Sequence, residues 1–155
     1  MMKNNNLCSG QSMFEILFAF AIMAIIVVAI VGMATISIRN SSYSRNKTLA
    51  EKNAQEASEW LREQRDTSWI IFLSHAGDTQ KTYCMVTPDN SVWNNPEVCE
   101  DGENIAGTAL YREIGLTKVD NKNISVEVSV YWSDSKGLHE SNLSTTLGNW
   151  KPEVQ

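Results

Sequence analysis

Residues 10–38 read GQSMFEILFAFAIMAIIVVAIVGMATISI. A glycine is followed by five residues that carry one carboxylate, Glu15, and then by 23 residues, 16–38, without a single charge. At about 1.5 Å of rise per residue the uncharged run reaches roughly 34 Å, enough to cross the hydrocarbon core of a bilayer. The stretch therefore predicts a membrane-spanning helix with an acidic group at its lip. An ionised carboxylate left unpaired in hydrocarbon is costly, so Glu15 needs either a partner or an exit to the head-group level.

The residues around that lip, Ser9-Gly10-Gln11-Ser12-Met13-Phe14-Glu15, resemble the class III signal of type IV pilins and pseudopilins. The shared marks are a short polar leader ending in glycine, a cleavage point, a glutamate at the fifth mature position and a long apolar helix. Here the leader is residues 1–10, cleavage falls between Gly10 and Gln11, and Glu15 is the fifth mature residue. Ser12, Met13 and Phe14 stand where the family usually has threonine, leucine and isoleucine or valine, and Gln11 replaces the commoner phenylalanine. The resemblance covers about the first third of the chain. It implies a structural, non-enzymatic subunit, minor or accessory, of a type IV pilus or related pseudopilus. Such a subunit is made as a prepilin in the cytoplasmic membrane with its head outside. It is cleaved after Gly10, N-methylated on Gln11, and passed to an extracellular filament. The partners it implies are a prepilin peptidase, other pilin subunits, a membrane assembly platform and lipid, with no cofactor.

Cleavage would free an α-amine on Gln11, four residues and roughly 6 Å along a helix from the Glu15 carboxylate. Between two axially staggered helices these charges can meet, and a mispaired charge in an apolar core is costly enough to fix register. The resemblance implies that role for Gln11 and Glu15. The alternative is an uncleaved signal anchor carrying an extracytoplasmic ligand-binding or adhesion domain.

The 155 residues leave room for one small domain after the membrane helix, and the net charge of -5 becomes -6 when Lys3 leaves with the leader. An acidic domain argues against bulk nucleic-acid binding. Of three cysteines, Cys8 also leaves, so Cys84 and Cys99 remain as a disulfide pair. The chain-entropy model gives a bridge of this span roughly 3 kcal/mol. Two reduced thiols, or a zinc site shared with His75 and His139, are the other readings of the pair. Arg39, Arg45 and Lys47 flank the far end of the membrane helix against Lys3 before it, which by the positive-inside rule alone would put the head in the cytoplasm. The leader and the cysteine pair point outward instead.

Nothing in residues 39–47 breaks a helix, and Ala50, Ala54, Ala57 and Leu61 follow at 4-3-4 spacing beside a charged row of Lys52, Glu56, Glu59 and Glu63. The helix is expected to continue as an amphipathic segment over 39–66 and to lay its small apolar stripe on a sheet. Residues 67–155 form a β-rich head. Trp69-Ile70-Ile71-Phe72-Leu73 is expected as core material, 81–87 as a strand carrying Cys84, and 88–102 as a loop tied back by Cys99. Trp93 in that loop is either a contact residue or a plug against the core. A strand is placed at 109–114. The clearest strand signal is Ile124, Val126, Val128, Val130 and Trp132 alternating with polar residues and Tyr131, followed by turn chemistry at 134–137 and a return strand over 138–147. Trp150 is expected to pin the terminus. The fold class is α+β, one long helix on a small antiparallel sheet, which matches the pilin fold implied by the leader.

No phosphate loop, nucleophile elbow or paired-histidine motif occurs in the head. Glu97, Glu100, Asp101 and Glu103 gather around Cys99, and clustered carboxylates suit calcium. They read as a solvated acidic loop.

Overall fold

The computed structural model describes residues 13–150. A 55-residue helix, α1 (Met13–Thr67), is followed by a short helix, α2 (Trp69–His75), and four strands: β1 (Lys81–Cys84), β2 (Tyr111–Lys118), β3 (Asn123–Asp134) and β4 (Gly137–Gly148). The chain divides into two compact units, one ending at Tyr43 and the other beginning at Ser44.

In the first unit every described residue is exposed, including the whole uncharged run. Ile25, Ile26, Val27 and Val28 form a β-branched run of weak intrinsic helix preference. A helix is nevertheless one of the few forms that satisfies its own backbone in hydrocarbon. Thr35 disposes of its hydroxyl in the same way, donating to the Val31 carbonyl at 2.9 Å.

In the second unit α1 acquires a buried face. Ala50, Ala54, Ala57 and Leu61 are at most 2 % exposed, as their spacing predicts, and with Ser58 they are the buried residues of the helix. Alanines let the helix axis approach the sheet closely, so the sheet can supply the bulk. Its order is β1-β2-β3-β4, antiparallel throughout. Register aligns one side of the pleat across all four strands, with Tyr83 opposite Ile114, Ile114 opposite Val128, and Val128 opposite Leu143. Ile124, Val126, Val128, Val130 and Trp132 are buried along β3, and Leu147 and part of Leu143 extend the apolar row onto β4. The hairpin turns at Gly137, whose φ of 116° is strained for any residue with a Cβ.

Three elements depart from the sequence expectation. β2 starts at Tyr111 and runs to Lys118, because Leu110 is held in a turn by its carbonyl, which accepts from the Ile105 N–H at 2.8 Å. β1 ends at Cys84, beyond which the chain approaches Pro88 and a short 3-10 helix at Asn90–Asn94 capped by Asp89. The apolar pentapeptide becomes the separate helix α2, capped by Ser68, and only part of it is core. Phe72 is buried, whereas Ile70 and Ile71 are 72 % and 61 % exposed. A seven-residue helix turns one face inward, and the i, i+3, i+4 set Trp69, Phe72 and Leu73 occupies it.

Candidate functional site

Glu15 lies in the first turn of α1, on the exposed helix, beside a shallow groove bordered by Ala19 and Phe20. Among the described residues it has neither a hydrogen bond nor an ion pair. Gly10 and Gln11, the expected processing residues, lie outside the described residues.

In the head, Cys84 and Cys99 form a disulfide with their Cα atoms 4.8 Å apart. The bridge joins the end of β1 to the acidic loop, and Glu113 of β2 fastens the same point. One Glu113 oxygen accepts from the Cys99 N–H at 2.9 Å and from the Tyr131 hydroxyl at 2.7 Å. Burial raises the Tyr131 hydroxyl pKa, and the adjacent Glu113 carboxylate raises it further. Glu103 stitches the loop internally, accepting from the Asn95 amide at 2.9 Å and the Glu100 N–H at 2.7 Å. Among the described residues the one grouping of metal-ligand types is Cys84, Cys99 and Glu103, and its two sulfurs are bonded to each other. His75 and His139 join neither sulfur: His75 stacks on Trp93, and His139 Nε2 lies 2.9 Å from Asp134 across the β3–β4 turn.

Arg112 is fully buried, and sequence reading missed it. Its guanidinium donates to the Met85 carbonyl at 3.2 Å, the Asn53 carbonyl at 3.0 Å and Glu56 Oε2 at 2.9 Å, tying β2 to α1 and to the chain after β1. Burial lowers its pKa and the Glu56 carboxylate opposes that shift. A signal was present, since Arg112 shares strand parity with Ile114 and Leu116 and so had to face the core.

Trp93 is half-buried inside an aromatic cluster. The His75 ring stacks on it at 4.0 Å and 6°, Tyr83 meets it edge-on at 5.3 Å, and Trp60 lies 5.3 Å away. Tyr83 also donates to the His75 carbonyl at 2.8 Å, so β1 positions the last residue of α2. Burial, and secondarily the Lys81 charge, lowers the His75 pKa, which keeps the stacked imidazole neutral near pH 7. Beside the stack opens a cleft of about 230 Å³, lined among others by Gln64, Thr67, Ser68 and Asn90. Trp93 thus plugs its own loop and also reaches a recess. Trp150 ties the end of the described chain to α1, donating to Asp66 at 2.9 Å. No family model, curated protein or solved structure matches this chain.

Proposed function

We propose that the chain is a structural subunit, minor or accessory, of a type IV pilus or related pseudopilus. It is made as a membrane-anchored prepilin, cleaved after Gly10, and assembled through its N-terminal helix. The observation that carries this reading is the combination in α1 of an exposed, uncharged span with one carboxylate, Glu15, in the first turn and without a partner among the described residues. A plain anchor needs only lipid around it. A carboxylate at the start of the span needs a partner or the head-group level, and in a stack of identical helices the α-amine freed on Gln11 of a neighbour supplies the partner. The Cys84–Cys99 bridge supports a head in an oxidising compartment outside the cytoplasm. The long helix laid on an antiparallel sheet agrees with the architecture the leader implies.

Intact mass and amino-terminal sequencing of the protein from its native membrane test the proposal. A start at Gln11, with or without one methyl group, is the expected result. A start at Met1 overturns it and leaves an uncleaved, signal-anchored binding domain.

A further inference from the structure

We propose that the cleft between the end of α1, α2 and the 3-10 helix is a binding site for a single neutral sugar ring, such as the terminal hexose of a glycan. The inference rests on what lines the recess. One wall is aromatic, the His75–Trp93 stack, backed by Tyr83 and Trp60 so that the rings are held in place. Polar groups converge beside it. The side-chain amides of Gln64 and Asn90 line the cleft and, among the described residues, have no hydrogen-bond partner within the protein. Each amide offers two donor hydrogens and an acceptor oxygen. The Ser68 hydroxyl accepts from the Ile71 N–H and keeps its own hydrogen free to donate, while Thr67 donates to the Glu63 carbonyl and keeps lone pairs free to accept.

This inventory selects a ligand chemistry. Among the described residues, no aspartate, glutamate, lysine or arginine lines the cleft, which disfavours phosphates, carboxylates and metal ions. A sugar ring presents a C–H face suited to an aromatic ring and a rim of hydroxyls that donate and accept in pairs, as planar amides do. At about 230 Å³ the recess is smaller than the roughly 300–1,000 Å³ of pockets for drug-sized ligands, so it accepts one ring rather than an extended chain. The site is independent of the assembly proposal, because every lining residue belongs to the second unit, which begins at Ser44.

The test uses the full chain in phosphatidylcholine nanodiscs, avoiding glucoside and maltoside detergents whose head groups are themselves sugars. Saturation-transfer NMR is run with methyl α-D-glucopyranoside, methyl β-D-galactopyranoside and the methyl glycoside of N-acetylglucosamine. Transfer to the ring C–H protons of at least one glycoside is expected, with affinity falling about fivefold in Gln64→Ala and in Asn90→Ala, each losing hydrogen bonds to the ligand. Trp93→Phe should retain part of the binding and Trp93→Ala none. Thr146→Ala, on the exposed part of β4, should bind as the parent does. Absence of transfer to all three glycosides overturns the proposal, as does transfer undiminished by both amide substitutions. Preferential binding of p-cresol or tetramethylammonium also overturns it, in favour of an aromatic side chain or a cation as occupant.

Discussion

Arg112 gathers three long-range hydrogen bonds of the head in one side chain. Its side chain is 1 % exposed, whereas that of its partner Glu56 is 55 % exposed, so the two ends of this ion pair have unequal weight. Arg112→Ala removes donors from the Met85 and Asn53 carbonyls and opens a void, with an expected loss of about 2–4 kcal/mol. Arg112→Lys should recover only part, since an ammonium lacks the planar fork that spans three acceptors. Glu56→Gln should cost less than about 1 kcal/mol, because solvent screens its charge. Urea titration of the full chain, followed by near-UV circular dichroism, checks all three, for all five tryptophans lie beyond residue 59 and report on the head. His75 adds a pH dependence. Its folded pKa lies below 6.5, so in the unfolded chain the imidazole takes up a proton that the folded head resists. Above pH 6.5 the two states bind equally. Stability should therefore fall as pH drops from 6.5 through the folded pKa, and His75→Phe should flatten that part of the profile. A profile of unchanged slope in His75→Phe would mean that this ring does not titrate differently in the two states.

Among the elements, the segment between β1 and β2 depends most on covalent help. It holds a 3-10 helix and otherwise irregular chain, fastened by the disulfide, by the Glu113 bonds and by the Glu103 stitches. Replacing Cys84 and Cys99 together with serine should cost roughly 3 kcal/mol and lower the melting temperature of the oxidised protein. An unchanged melting temperature would show that the noncovalent ties suffice. The strands differ in how readily their sequences disclose them. β3 was legible because it alternates strictly over a buried face, and β4 followed from the turn chemistry and from Leu143 and Leu147. The limits of β2 were not legible. A buried arginine interrupts its apolar row, and Gly115 has the opposite parity, where a Cβ would run into the Gln80 amide that reaches over to Glu127. α2 was legible as apolar but not as half-exposed, because a heptapeptide does not declare which face its neighbours will cover.

At the scale of the whole molecule the two units differ in what they bury. Residues 16–38 of the first unit are uncharged and exposed, and residues of the second build an ordinary core. The proposed assembly role concentrates on one carboxylate. Glu15→Ala should leave cleavage after Gly10 intact, since the cut lies five residues away, and should reduce entry into filaments at least several-fold. Quantitative immunoblotting of sheared filaments against total membrane protein measures this. Incorporation of the variant at parental levels would remove Glu15 from register selection.

The sequence by itself determined the long apolar helix, its amphipathic continuation and the β3–β4 hairpin. Each is local or strictly periodic, so a few neighbouring residues carry the whole signal. Only the tertiary structure decided that Arg112 lies buried between α1 and β2, and that β1 ends where the bridge begins. It alone brought His75 onto Trp93 beside Gln64 and Asn90. Those contacts join residues tens of positions apart, and their energy comes from burial and hydrogen bonding that exist only once helix and sheet have closed on each other.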